Sequence, residues 1–227
     1  MTCAPVPTRG GSAAIVLVAA TLSGCGSNEA GIPPALYDAI QNRKSDAAYP
    51  AGPYGTEVGS TAPDLCFEGW KDPAGAGYDP ARLSPLCFSD FYDPTGASSK
   101  LLLVNSSALW CTACRYEYGG SGDRPSLSER LAERKARGFE ILGTLFQNEK
   151  AAPASGAEAA AWAETYGVAF PFALDESHAL GVFASPTIAP FNLLLDTRTM
   201  HVVLALEGDE PAVLFGAVDD FLAKGAP

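Results

Sequence analysis

The stretch Leu101-Leu102-Leu103-Val104-Asn105-Ser106-Ser107-Ala108-Leu109-Trp110-Cys111-Thr112-Ala113-Cys114 places the strongest constraint on the fold. Four apolar residues in a row suit a strand covered on both faces, as in a parallel or mixed sheet. The strand runs straight into a helix whose first turn carries two thiols in C-x-x-C spacing. Both sulfurs then lie at one helix end, close enough to close a small disulfide ring. Unsatisfied N–H groups and the macrodipole favour an anion there, so Cys111 is expected to ionise more readily than a free cysteine. Sulfur redox chemistry is the first expectation.

The elements around this stretch follow from punctuation and period. Leu65-Cys66-Phe67 and Leu86-Cys87-Phe88 are short strand candidates separated by a turn-rich segment with Asp72-Pro73, Gly75, Gly77 and Asp79-Pro80. The cysteine helix runs to about Tyr118 and is broken by Gly119-Gly120-Ser121-Gly122-Asp123. Ser126 with Glu129, and Ser155 with Glu158, read as capping boxes opening two further helices, the first stopped by Gly138 and the second ending near Tyr166. Phe139 to Phe146 reads as a strand and Val168 to Phe172 as a short extended piece, with a brief helical stretch from Ser177 to Phe183. Phe191–Leu195 and Met200–Glu207 form a strand pair, and Pro211 starts a last amphipathic helix that Gly225 ends. From residue 101 the order is strand, broken helix, strand, helix, strand, strand, helix.

The chain of 227 residues carries a net charge of −11 with only 15 basic residues. Phosphate recognition needs clustered Lys and Arg, so a nucleic-acid partner is not expected. Near the N-terminus Arg9 precedes an apolar run from Ala13 to Ala20. That run is about half of what a membrane-spanning helix needs and reads as the core of an export signal. Leu22-Ser23-Gly24-Cys25 resembles the bacterial lipobox, which implies a signal peptide over 1–24 and a lipid on Cys25. The alternative is a plain cleavable signal with an incidental cysteine. The lipobox resemblance implies a bacterial envelope protein, lipid-anchored to the membrane and facing the periplasm. Gly26 in place of Asp favours the outer membrane. Residues 25–57, broken by Pro33, Pro34, Pro50 and Pro53, read as a tether with room for one short helix over Ala35–Arg43. The folded domain is expected over 58–227.

The six cysteines divide accordingly. Cys3 leaves with the signal, Cys25 is the lipid site, and Cys111 with Cys114 is the redox pair. Cys66 and Cys87 either form a structural disulfide in an oxidising compartment or stay as two buried thiols. A zinc site would need a second close ligand pair, which Cys66, Cys87, His178 and His201, read as isolated positions, do not supply. No metal is therefore expected. Both histidines are expected to be structural.

The element order, with thiols after the first core strand, resembles the thioredoxin fold. Leu103-Val104-Asn105 followed by Trp110-Cys111-Thr112-Ala113-Cys114-Arg115-Tyr116-Glu117 resembles the TlpA/ResA branch of the AhpC/TSA–redoxin superfamily. Gly59-Ser60-Thr61-Ala62-Pro63-Asp64 is similar to that superfamily's N-terminal segment, and Pro190-Phe191-Asn192-Leu193-Leu194-Leu195-Asp196 to its cis-proline strand. The resemblance spans roughly Val58 to Leu222. It implies an α/β, thioredoxin-like fold, a central mixed sheet flanked by helices with an N-terminal β extension.

For function the resemblance implies thiol–disulfide exchange with protein clients through a redox-active disulfide and no other cofactor. Cys111 would attack and Cys114 resolve. Trp110 would shield the thiols, and Ala189-Pro190 would present backbone to the substrate chain. Pro186 is the competing choice for the cis-proline. Asn105 stands where thioredoxins keep a buried Asp, and Ser106-Ser107 replaces an aromatic pair. Glu117 reads as part of a solvated helix face, with a proton relay or partner contact as the alternative. The uncharged Thr112-Ala113 leans towards a reductant supplied by a membrane thiol donor. Two other functions compete. A peroxiredoxin-like peroxidase needs Thr or Ser three residues before the attacking Cys, where Ala108 stands. A copper-binding module of this fold would resemble C-x-x-x-C with a distal His, which neither His178 nor His201 clearly matches.

Overall fold

The computed structural model describes residues 48–224. The expected signal peptide, Cys3, Cys25 and the tether up to residue 47 lie outside the described residues. Strands run over β1 (Cys66–Trp70), β2 (Ser84–Cys87), β3 (Leu101–Ala108), β4 (Phe139–Gln147), β5 (Phe172–Leu174), β6 (Phe191–Asp196) and β7 (His201–Glu207). Helices are α1 (Thr112–Gly119), α2 (Leu127–Arg134), α3 (Gly156–Thr165) and α4 (Pro211–Lys224). All seven strands join one mixed sheet in the order β2-β1-β5-β4-β3-β6-β7. Only β3 with β4 and β4 with β5 pair parallel, each connected through helices.

Every residue of β3 is buried, as its apolar run requires of a strand with neighbours on both edges. Alternation divides its side chains between two cores. Leu101 and Leu103 share one cluster with Cys114, Tyr118, Leu127, Trp162 and Leu214, so all four helices pack on that face. Leu102 and Val104 face Leu65, Phe67, Phe88, Leu180 and Met200, contributed by the N-terminal segment, the β1–β2 hairpin and short turns.

The helix starts form for the expected reason. Ser126 Oγ receives the Glu129 N–H while Glu129 returns a bond to the Ser126 N–H at 2.7 Å, and Ser155 with Glu158 repeats the exchange. Gly138 stops the α2 segment in the left-handed region, with φ 93°. Tyr49, Thr61 and Ala62 tie the N-terminal segment down. Gly59 donates to Val202 and Ala62 to Met200, covering part of the β7 edge. No helix among the described residues is long and apolar enough to cross a membrane.

The short piece ending at Phe172 is more than an extended linker. β5 pairs parallel with β4 and antiparallel with β1, so three residues bind the N-terminal hairpin to the core sheet. Cys66 and Cys87 lie directly opposite each other on β1 and β2 and are disulfide-bonded, with Cα atoms 4.0 Å apart. The two positions are therefore a close ligand pair and not isolated. Asp64 lies beside them, but the sulfurs bond each other and Asp64 accepts the Ser89 N–H at 2.8 Å. A cross-link spanning 21 residues restricts the unfolded chain more than the folded one. Replacing both cysteines with Ala should lower stability by about 2–3 kcal/mol in chemical denaturation. An unchanged midpoint would mean the hairpin gains nothing from the bond.

Candidate active site

Two strand pairings set the frame. Asn105 in the middle of β3 is in register with Gly143 on β4 and with Asn192 on β6. In-register neighbours share a face of the sheet, and here it is the face on which α1 lies. β3 ends at Ala108, and Leu109 and Trp110 form the turn into α1. Leu109 donates to the Gln147 carbonyl at 2.9 Å, and Trp110 Nε1 donates to Gln147 Oε1 at 2.9 Å. The indole packs against the cluster that contains both thiol positions.

Cys111 is the N-cap of α1, in extended conformation at φ −85°, and its Sγ accepts the Cys114 N–H at 3.0 Å. Cys111 and Cys114 are disulfide-bonded, with Cα atoms 5.3 Å apart. Cys111 is 3% exposed and Cys114 0%, so a partner reaches Cys111 first. The capping N–H that now meets a neutral sulfur would stabilise a thiolate at the same place.

The Ala189–Pro190 bond is cis. Pro186 belongs instead to an exposed loop, in which Ser185 Oγ and Thr187 Oγ1 lie 2.8 Å apart. Pro190 leads directly into β6, whose first residue Phe191 pairs with Ser106. Pro190 therefore stands at the same end of the sheet as Cys111. Its carbonyl accepts the Gly208 N–H at 2.8 Å, and Ala189 packs against the thiol-containing cluster.

Glu117 overturns its expected place on a solvated face. It is 4% exposed, one helical turn beyond Cys114, and points into the sheet. Asn105 Nδ2 donates to Glu117 Oε2 at 2.8 Å and also reaches Asn192 Oδ1 at 2.9 Å. Asn192 Nδ2 donates to Glu117 Oε1 at 3.3 Å, and Ser107 Oγ donates to Asn105 Oδ1 at 2.9 Å. Burial pushes the Glu117 carboxyl up to about 7, although the two amide donors pull it down. The reason is plain: α1 is short and its inner face must meet β3 where β3 carries Asn instead of an apolar residue.

The Gly-rich break after α1 is a tight turn closed by reciprocal bonds between Ser121 and Arg124, both at 3.0 Å. Gly120 and Gly122 supply its left-handed φ values of 70° and 56°. The turn delivers Arg124 to Asp209, which it grips through two hydrogen bonds at 2.7 and 2.5 Å. His178 stacks on Phe146, with ring centroids 4.8 Å apart, and His201 opens β7 on the surface.

Comparison with solved structures adds the architecture. A thiol:disulfide interchange protein DsbE of Chlorobium tepidum superposes with a TM-score of 0.53 at 19% identity, over 74% of this chain and 98% of that one. The thioredoxin domain of thiol-disulfide oxidoreductase BVU-2223 from Bacteroides vulgatus gives 0.50 at 21% identity, over 74% and 99%. This is a thioredoxin fold. An uncharacterized conserved protein of Geobacillus kaustophilus is also similar, with a TM-score of 0.55 at 15% identity over 76% and 85%. No protein-family model matches the sequence, and no curated protein matches it either.

Within the thioredoxin fold, three features of this site escaped sequence reasoning. Asn192, Gly143 and the Arg124–Asp209 pair each depend on strand register or loop closure. Only Asn192 left a trace, as a lone amide inside the apolar run Phe191–Leu195.

Proposed function

We propose that this protein is a thiol–disulfide oxidoreductase that exchanges the Cys111–Cys114 disulfide with protein clients. The observation that carries the reading is a bonded C-x-x-C pair at the start of α1, with the less buried sulfur first and a cis-proline at the same sheet end. In the reducing direction, the Cys111 thiolate attacks one sulfur of a client disulfide and releases the other as a thiolate. A mixed disulfide now joins Cys111 to the client. Cys114 gives up its proton, attacks Cys111 Sγ and expels the client's second thiolate. Two electrons pass to the client, and the enzyme pair ends oxidised.

Glu117 would accept the Cys114 proton. The two residues are three apart on one buried face of α1, and a carboxyl pushed up to about 7 exchanges protons near neutrality. It takes the place of the Asp that Asn105 lacks. Trp110 and Ala189-Pro190 would border the client chain, and the client peptide would run along that backbone.

The sequence further supports an envelope protein held to a membrane by lipidated Cys25, working as a reductant fed by a membrane thiol donor. Ala108 at the position where a peroxidase needs Thr or Ser argues against rapid peroxide chemistry.

A Cys114→Ala variant tests the reading, because it stops the reaction at the mixed disulfide. Incubated with scrambled ribonuclease or insulin, it should accumulate a covalent adduct through Cys111 that dithiothreitol releases. Cys111→Ala should form none. Equal adduct on both variants, or none on either, would rule the exchange mechanism out.

A further inference from the structure

We propose that Asn192 is a positioning residue for the resolving step, holding the Glu117 carboxylate in place jointly with Asn105. This deepens the reading above and rests on it. The geometry is a closed triangle of side chains from three elements. Asn105 on β3 and Asn192 on β6 face each other in register, and Glu117 descends between them from α1. Each carboxylate oxygen receives one amide, Oε2 from Asn105 and Oε1 from Asn192. The Asn105–Asn192 bond fixes the two amides relative to one another, and Ser107 orients Asn105.

Both asparagines are fully buried, and a buried amide left unpaired is costly. Apolar residues at 105 and 192 would suit the surrounding strands better if Glu117 had no ionised state to hold. Amide donors serve the charged form, which is the form that must accept a proton. The charged groups that face Glu117 from other elements are Arg124 and Asp209, and those two bind each other. On its own helix Tyr118 is an ionisable neighbour that interacts with it. The asparagines are thus the donors that favour the Glu117 carboxylate from inside the core.

The test separates the two chemical steps on the reduced protein. Reaction with 5,5′-dithiobis(2-nitrobenzoate) releases one thionitrobenzoate when Cys111 attacks and a second when Cys114 resolves the mixed disulfide. Stopped-flow traces across a pH series should give a second phase that rises with a midpoint near neutrality. Removing one donor to the carboxylate in Asn192→Leu should move that midpoint up by about one pH unit, slowing the second phase about fivefold at neutral pH. The first phase should keep its rate. Asn192→Thr retains a hydroxyl donor, should fall between the two, and guards against an Asn192→Leu protein that does not fold. Glu117→Gln should remove the near-neutral midpoint and leave only the rise at higher pH where the Cys114 thiol itself ionises.

A second phase in both Asn192 variants with the wild-type midpoint would overturn the positioning role. So would loss of both phases in step with thermal stability, which is what a packing defect produces. If the wild-type protein itself showed no second phase, the oxidoreductase reading would fail first and this inference with it.

Discussion

Raising the pH from about 5 to about 8 should cost the folded protein several kcal/mol of stability. Glu117 and Asp175 are both buried carboxyls, and burial pushes each up to about 7 from ordinary values of 4.5 and 3.8. In the unfolded chain both would ionise below pH 5. The folded protein holds those protons longer, so it is the folded state that binds more of them in this window. Stability is then fully present below the ordinary carboxyl range and is lost as pH rises towards 7. Each group contributes on the order of 3 kcal/mol at the upper end. His178 works in the opposite sense, because burial lowers its affinity for a proton and favours the folded state as pH rises. It is half-buried and offsets a fraction of the loss.

Urea denaturation of the oxidised protein at a series of pH values measures the slope directly. Glu117→Gln should remove roughly half of it and make the protein more stable than wild type at pH 8. The gain is expected to be on the order of 1–2 kcal/mol, since Gln keeps only one acceptor for two amide donors. Asp175 also accepts the Ala179 and Leu180 N–H groups at 2.6 and 3.1 Å, one on each oxygen, so Asp175→Asn loses one of these two acceptors along with its charge. A wild-type profile that is flat, or that rises across this range, would show that neither carboxyl carries a raised proton affinity.

What the sequence made legible is what local chemistry determines. The apolar run into Cys111, the two Ser/Glu capping boxes and the Gly138 stop each act within a few residues, and each is found where expected. The cysteine pair at 66 and 87 stays between two states in the sequence because both positions sit in the same Leu-Cys-Phe pattern. Only the β1–β2 register, which pairs the two positions face to face, decides it. Glu117 failed for a related reason. A carboxylate on a short helix is normally solvated, and its burial is tolerable only because β3 and β6 bring an amide each to the same point. Those two residues are 87 apart in the chain, and no local pattern joins them. β5 reads only as an extended piece because three residues carry little periodicity of their own.

Gly143→Ala should be one of the most damaging single substitutions in the domain, although it adds only a methyl group. Gly143 lies opposite Asn105 on β4, beneath α1. A Cβ there would stand 2.4 Å from Tyr118 Oη, 2.8 Å from a Phe172 ring carbon and 2.9 Å from one of Phe170. None of these can give way easily. Tyr118 is fully buried and ringed by Trp162, Tyr166, Phe170 and Phe172, with centroids 5.3 to 6.2 Å away. Overpacking in such a site costs about 3 kcal/mol or more. The tightest contact is with the hydroxyl, so Tyr118→Phe in the same chain should recover at least 1 kcal/mol, and the two ring contacts should keep the rescue partial. The effect should extend to the chemistry, because Tyr118 is the neighbour on α1 of Glu117, which the asparagines bind. Gly143→Ala should therefore slow the resolving step by Cys114 even where the protein remains folded, and Tyr118→Phe should restore part of the rate. Strictly additive penalties from the two substitutions would mean that the hydroxyl is not what the missing Cβ makes room for.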